Sequence, residues 1–534
     1  MAALVAAAAG AWAMDDATFE AMRRAAVDRP RAILWDDDGC DMIYYPYGCA
    51  DLADKPISAA NFEAPFLKAT ENTLTDTICY STVFGFGYFS SIRAGIVNTN
   101  EFSEGIGKWR NAVAEFRDKF GKDALDLATD FARRNKKEIF LSLRFNDNHD
   151  AGSSWTNRNV LFSPFKAENP DCLVGMRPGR MPKCCGWAAA DFSKEKVRAF
   201  CLKYMREYFE NYDLDGLEYD FFRHPQLFSS VAWGGRASQA ELDVMTAHMK
   251  DLRALADEVG RRRGRPFVVC MRVPDSVEYC RAIGIDLERW LQEKVVDFLI
   301  VGGYFQLEPW SKSAALAHRH GVKCYASLDE SRLARVKGAR LLPGRDGVES
   351  LLARASAAVM QGMDGICYFN FEYAPHDRQR KVLSASVHDL NGRDKLYFSV
   401  YNGGGGYLPR SFLVGGDDFI HLGGINPAKA VKLKAGDKFA FNLPVGDDLN
   451  DWRAKKVEPR ITAKLLAADA SEGALKEFKI NGTAYTPDSF VKGVFTFTPP
   501  PSAILRGDNR IEVEAGDAGI TLNDFSLAIT GKRK

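Results

Sequence analysis

From Arg31 to about Glu372 the chain alternates between two patterns of hydrophobic and polar positions. Short apolar or β-branched runs fall at Arg31–Asp36, Asp76–Val83, Glu138–Phe145, Leu214–Phe221, Phe267–Val273, Val296–Gly302, Lys323–Leu328 and Gly365–Phe371. Between them lie stretches of helical periodicity, such as Asp123–Asn135, Lys194–Asn211, Ser238–Arg263, Asp286–Val295 and Gly347–Gln361. Strand-length runs alternating with helices in this way predict an α/β fold of the (β/α)8 TIM-barrel class. An open doubly wound sheet is the competing arrangement. It would carry a glycine-rich phosphate loop after its first strand, whereas here Asp36-Asp37-Asp38-Gly39 follows.

Beyond about Lys395 the pattern changes. Leu396–Tyr401, Ser411–Val414, Phe439–Leu443, Arg460–Ala467, Phe478–Ile480, Val494–Pro499, Asn509–Ala515 and Ser526–Ile529 read as short strands separated by Gly, Asp, Asn and Pro turns. This predicts a barrel over residues 31–390 and an accessory all-β sandwich over 395–534. A supporting role for the sandwich is preferred over glycan binding. Residues 1–30 precede the barrel, and Ala2–Ala13 resembles the apolar core and small-residue cleavage site of a secretory signal, followed by an N-terminal helix. That implies a secreted or periplasmic protein. The run lacks a basic leader, so an alanine-rich helix in a cytoplasmic protein is the alternative, and it is too short to span a bilayer.

The 534 residues carry 71 basic and 70 acidic side chains, a formal net charge of +1. With no basic excess, a nucleic-acid partner is not expected, and a neutral polymer or small polar ligand suits the composition better. The 11 cysteines lie between Cys40 and Cys367. Cys79, Cys270, Cys324 and Cys367 sit inside apolar runs, where a thiol acts as a small hydrophobe. The tandem Cys184-Cys185 has no second pair at zinc-site spacing, so no structural zinc is expected.

Strand alternation selects the side chains that point into a barrel. In Asp215-Gly216-Leu217-Glu218-Tyr219-Asp220 the apolar residues would face the helices, leaving Gly216, Glu218 and Asp220 inward. A carboxylate at the C-terminal end of a barrel strand is reachable by substrate, whereas a deeper one is more often structural. Asp220 is therefore the leading catalytic candidate and Glu218 a helper or a buried ion pair. By the same alternation Arg144 and Asn146 face inward on the third strand, Arg272 on the fifth and Asp329 on the seventh. Tyr368, Asn370 and Glu372 are placed together on the inner face of the eighth.

Two connections from the catalytic end are long, one from Gly39 to about Thr75 and one from Asn146 to about Ser193. Asp37 at the end of the first strand, together with Arg144, Asn146, Asp147, His149, Arg223, His224, Tyr304 and Glu372, makes a rim of donors and acceptors suited to sugar hydroxyls. Trp155, Tyr304 and Trp310 are candidates for stacking on sugar rings, with packing as the equal alternative. Asp147, His149 and Asp150 lack a recognised metal-ligand spacing, so neither a metal nor another cofactor is expected.

The run Asp215-Gly216-Leu217-Glu218-Tyr219-Asp220-Phe221-Phe222-Arg223-His224-Pro225 resembles the fourth-strand motif of the glycosyl-hydrolase-like bacterial TIM-barrel proteins, the family-10-like putative glycosidases. It is also similar to the family-18 chitinase strand, but Phe222 stands where that family has its catalytic glutamate. The resemblance covers the barrel. It implies a glycosidase in which Asp220 is a catalytic carboxylate. Hydrolysis of a glycosidic bond generally uses two carboxylates. Arg223 and His224 beside Asp220 favour the nucleophile or base role for it. The general acid is then sought at Asp329 or Glu330, with Glu372 and Asp275 behind them. The function expected is cleavage of an oligo- or polysaccharide. A non-catalytic glycan-binding barrel and a metal-assisted hydrolase are the alternatives. Sugar, linkage, stereochemical outcome and oligomeric state are not legible.

Overall fold

The computed structural model describes residues 14–39, 55–82, 86, 112–152, 154–157, 162–184, 186–329, 340–401 and 407–533. The apolar lead before residue 14, Cys40, Cys49, Cys185 and Glu330 lie outside the described residues. Among the described residues no helix is long and apolar enough to cross a membrane.

Eight parallel strands close into a barrel in chain order: β1 (Ile33–Asp37), β2 (Thr77–Ser81), β3 (Glu138–Arg144), β4 (Gly216–Asp220), β5 (Val268–Val273), β6 (Phe298–Val301), β7 (Lys323–Asp329) and β8 (Gly365–Phe369). β8 pairs back onto β1, with Ile33 opposite Ile366 and Asp36 opposite Phe369. Helices α1 (Asp16–Asp28), α2 (Ala124–Arg134), α3 (Glu195–Asn211), α4 (Gln239–Arg263), α5 (Leu287–Gln292), α6 (Trp310–Arg319), α7 (Val348–Met360) and α8 (His376–Leu383) pack outside it. Local signals set their ends. Ser238 and Glu241 form a reciprocal capping box at the start of α4, and Gly264 ends that helix with a left-handed φ of 72°.

The barrel interior is layered. At the N-terminal end Phe140, Phe298 and Tyr325 fill the bore, with ring centroids 6.1 and 5.1 Å apart. Gly216 and Gly365 make room for them. A Cβ on Gly216 would lie 2.7 Å from the Phe140 ring, and one on Gly365 3.0 Å from that of Tyr325. Above this layer the lining turns polar, with Asp36, Ser142, Glu218 and Ser327 among the thiols of Cys79, Cys270 and Cys367. The eight described cysteines are all free and buried. The alternation on β8 is the reverse of that expected. Cys367 and Phe369 face the bore, whereas Tyr368 packs outward against Phe371, 5.1 Å away. Asn370 then leaves the strand at a φ of 51°. Gly365 sets this phase, because only a residue without a side chain fits opposite Tyr325.

Beyond the barrel come a five-stranded and a four-stranded antiparallel sheet and one two-stranded ribbon. The long strands are Lys438–Val445, Val457–Leu466, Gly507–Ala515 and Asp524–Arg533. Their alternating burial brings Phe441, Phe478, Phe497 and Phe525 into one apolar core, with Phe478 stacked on Phe497 at 4.1 Å. Helix α7 serves both domains. Leu351, Leu352, Ala355 and Ala358 enter the barrel's core while Ala353 and Ala357 enter the sandwich's.

Ser411–Val414 is not a strand. Pro409–Phe412 is a helical turn, started by the fixed φ of Pro409 and a bond from the Leu408 N–H to Ser411 Oγ. Phe412, Leu413 and Phe419 join the barrel's core rather than the sandwich's. Here the chain returns to the end of the barrel where the strands finish, and Tyr279 donates to the Pro409 carbonyl at 2.9 Å and His421 N–H to that of Leu307 at 2.8 Å.

Candidate active site

The ends of β3, β4, β5 and β8 assemble the site. Asp220, the last residue of β4, is fully buried. Its Oδ1 accepts the backbone N–H groups of Phe222 and Arg223, both at 2.9 Å, and Oδ2 pairs with Arg272 of β5. The Arg272 guanidinium carbon lies 3.6 Å from the Phe369 ring centroid, and its Nε stands 3.8 Å from Glu218 Oε1. This ion pair is the centrepiece of the site. Burial works against the charge on Arg272, but Asp220, Asp36 and Glu218 together hold its pKa above the usual arginine range.

One level deeper, Glu218 faces Asp36 of β1. Burial pushes Asp36 well above the ordinary carboxylate range, and the neighbouring Glu218 charge adds to this. Glu218 is raised by burial as well, with Arg272 opposing and Asp220 reinforcing. Burial and the nearness of a second acid favour the protonated form in this pair over two neighbouring charges. Glu218 thus sits in the buried layer among three thiols, and the β1 side chain beside it is Asp36 rather than Asp37. Asp37 is also buried. It accepts the Gly39 N–H at 2.7 Å, and burial raises it to about 7.

The rim above is organised around Asp147. Its Oδ1 accepts both the backbone N–H of His149 at 2.9 Å and His149 Nδ1 at 2.7 Å. Its Oδ2 lies 3.6 Å from Arg144 Nη1 and 3.5 Å from Arg223 Nε. Burial alone would raise Asp147, but the bond and charge from His149, with Arg223 beside it, outweigh it and hold the carboxyl well below the usual range. Arg223 donates to the Tyr304 hydroxyl at 2.7 Å, and Arg144 pairs with Asp38. His224, at a φ of 57°, accepts the Asn148 N–H on Nδ1 at 3.3 Å, and burial keeps it well below the ordinary histidine pKa, hence neutral.

Other residues singled out from the sequence are committed elsewhere. Asn146 ties two loops together, donating to the Ala190 carbonyl at 2.8 Å and accepting its N–H at 2.9 Å. Glu372 accepts the Asp38 N–H at 3.1 Å from a 3-10 turn. Asp275 accepts the N–H groups of Leu307 and Glu308, which fixes the loop after β6. Trp155 packs against Phe162 and Trp187 in a satellite core, and Trp310 covers Gly302. Asp329 ends β7, buried, and its carbonyl accepts Arg354 Nη1 at 3.0 Å. Sequence reasoning passed over Tyr407, whose ring lies 4.5 Å from that of Tyr304 and whose hydroxyl lies 3.4 Å from His149 Nε2. It comes from beyond the expected barrel boundary, and no periodicity in the sequence points back to the barrel mouth.

Among the described residues, two groups bring metal-ligating atoms within 4.8 Å of one another, Asp147/His149/His224 and Asp36/Glu218/Cys367. In each, a guanidinium already stands beside a carboxylate, from Arg144 and Arg223 in the first and from Arg272 in the second. A cation would meet that charge directly, so neither group is assigned to a metal.

Fold and site define the chain as a (β/α)8-barrel protein with an appended β-sandwich and a charged, largely buried mouth. No protein-family model and no curated protein matches it. Solved structures similar to it are glycoside hydrolases. One is the glycoside hydrolase domain of PgaB (BpsB) from Bordetella bronchiseptica, 12% identical with a TM-score of 0.39 over 66% of this chain and 99% of that one. Another is a glycoside hydrolase family 18 N-acetylglucosaminidase from Paenibacillus barengoltzii, 14% identical with a TM-score of 0.35 over 67% and 99%. A third is α-L-fucosidase isoenzyme 2 from Paenibacillus thiaminolyticus, 10% identical with a TM-score of 0.40 over 67% and 49%. At these values the likenesses carry no argument about chemistry, which rests on the geometry above.

Proposed function

We propose that this protein is a glycoside hydrolase acting on an oligo- or polysaccharide, of the family-10-like kind that the fourth-strand motif resembles. The observation that carries the reading is Asp220. It ends β4 at the catalytic face and is fixed by two backbone N–H groups and Arg272, beneath a rim of guanidinium, imidazole and carboxylate groups. A carboxylate oriented this tightly, with both acceptor positions of Oδ1 taken and a lone pair still free on Oδ2, suits attack on an anomeric carbon or deprotonation of a water. The rim supplies the donors that polyhydroxylated rings require. Phe222 at the glutamate position of the chitinase motif excludes the substrate-assisted route from this strand. Secretion remains part of the proposal, resting on the apolar lead alone.

The test is a screen of aryl glycosides and oligosaccharides with wild type and Asp220→Asn. Loss of about 10⁴-fold in turnover is expected for the variant, the scale seen when a residue making the transition state is removed. Because Asp220 is half of a buried ion pair, the variant is also expected to be less stable, so activity is read at a temperature where circular dichroism shows it folded. A folded variant with wild-type turnover would remove Asp220 from the mechanism. Binding without turnover by wild type would mark a glycan-binding barrel instead.

A further inference from the structure

Glycoside cleavage through Asp220 needs a second group to protonate the departing oxygen, and on the proposed reading that donor must reach the substrate. The described carboxylates of the bore, Asp220 included, are buried: Asp36, Glu218, Asp220 and Asp329 are each 1% exposed or less, and Asp36 and Glu218 lie deeper than Asp220. His149 differs. Its side chain is 42% exposed, while the Asp147 carboxylate that holds its Nδ1 is 1% exposed. Resting on the glycosidase reading above, we infer that His149 is the general acid of this site and that Asp147 is its positioning residue.

The geometry fixes the histidine in a working state. With Nδ1 bonded to Asp147 Oδ1 at 2.7 Å, the proton on that nitrogen is spoken for, and Nε2 is the nitrogen turned toward the Tyr407 hydroxyl, 3.4 Å away. A buried aspartate on one nitrogen sets the tautomer and stabilises the imidazolium form. Asp147 is suited to that work because its ionised form is favoured strongly despite burial. Among the described residues, the titratable or charged groups facing the ring are Asp147 on its own loop, His224 after β4, with ring centroids 4.5 Å apart, and Tyr407. Arg144 and Arg223 act on it at second hand through Asp147 Oδ2. His224 is neutral and adds no repulsion. The dyad is joined to Asp220 through Arg223, whose N–H binds Asp220 Oδ1 while its side chain reaches Asp147.

In the reaction the proton on Nε2 passes to the glycosidic oxygen as the C1–O bond breaks, and the bond electrons leave with that oxygen. The anomeric carbon takes a lone pair from a water whose proton goes to Asp220. In the covalent variant Asp220 supplies the lone pair itself, and water then displaces it. His149, left neutral, recovers its proton from solvent through its exposed edge. The donor is active when protonated, so kcat/KM is expected to fall along an alkaline limb set by this group.

The test compares a 2,4-dinitrophenyl glycoside, whose leaving group needs no proton, with the unactivated disaccharide of the same sugar. His149→Asn is expected to lose about 10²- to 10⁴-fold on the disaccharide and under about 10-fold on the aryl glycoside, with its alkaline limb gone. Asp147→Asn should move that limb to lower pH. Equal losses on both substrates, or an unmoved limb, would overturn the assignment. Leaving-group-dependent loss in Asp329→Asn or Glu330→Gln would transfer the role to β7. Imidazole NMR of the full chain is independent of turnover: the His149 Nδ1–H should give the downfield signal of a proton held against a carboxylate, and Asp147→Asn should abolish it. A signal unmoved by that substitution overturns the dyad even if no glycoside is cleaved. Absence of turnover with the NMR shift intact overturns the glycosidase reading alone.

Discussion

The two domains of this chain solve the problem of filling an interior in opposite ways. The sandwich closes over Phe441, Phe478, Phe497, Phe525 and Trp452 in an apolar core, with the Trp452 indole donating to Asp447 at 2.8 Å. The barrel is apolar only at its lower end. Its middle and upper layers hold Asp36, Glu218, Asp220, Arg272 and Arg144, all 2% exposed or less. Buried charge costs stability unless paired, so the barrel gives up part of what burial supplies in order to fix these charges, on the proposed function, where substrate would bind. In the sandwich a buried charge pair, Lys395–Asp447 at 2.6 Å, is set beside the Trp452 indole of that apolar core. The two remain coupled by α7 and by the buried Arg345–Asp524 pair at 2.5 Å.

That contrast can be broken from either side. The largest effect is expected from Arg272→Met, which leaves Asp36, Glu218 and Asp220 facing one another without a cation. A loss of roughly 3–5 kcal/mol in urea unfolding and complete loss of activity should follow. A variant unfolding like wild type would mean the pair contributes nothing. On the sandwich side, Phe478→Ala removes one partner of the 4.1 Å stack and should cost about 3–5 kcal/mol. Its cost should not vary with pH, and calorimetry across the pH range checks both parts.

A smaller effect separates the domains by proton linkage. Burial raises Asp37 and Asp275 to about 7, against about 3.9 for an unfolded aspartate. Because the folded form binds the extra protons, these groups make the barrel less stable as pH climbs from about 4 to about 7, after which their effect levels off. Asp37→Asn should flatten that slope and leave Phe478→Ala untouched, as thermal melts at pH 5 and pH 8 would show. Smallest of all is Cys367→Ser. The hydroxyl is close in volume and can donate to Glu218, so a change under about 1.5 kcal/mol is expected in the barrel's polar layer. A serine in place of a phenylalanine of the sandwich core would not be tolerated in that way.

How far the sequence could be read follows from the range of each interaction. The strands of the barrel were legible because eight apolar runs repeat with helical spacers. The inward phase of β4 was legible because Leu217 and Tyr219 alternate with Glu218 and Asp220. On β8 the alternation misled, because Tyr368 looks like a bore residue until Tyr325 is seen to require a glycine at 365. The strand assigned to Ser411–Val414 failed for a local reason, the proline-started turn at Pro409. Asp37 was selected over Asp36 from the first run by parity alone, and the opposing charge of Glu218 is the feature that marks Asp36.

By itself the sequence determined the order of strands and helices, the change of pattern near residue 395, and Asp220 as a carboxylate at the catalytic end of the fourth strand. These depend on periodicity and on neighbours a few residues apart. The tertiary structure alone decided what each charge does. It pairs Asp220 with Arg272 across 52 residues, and seats Tyr407 on His149 across 258. It also turns Asn146, Asp275 and Glu372 from candidate ligands into holders of loops. Electrostatic and hydrogen-bonding partners are chosen by distance in space, and in a closed barrel that distance is set by strands far apart in the chain.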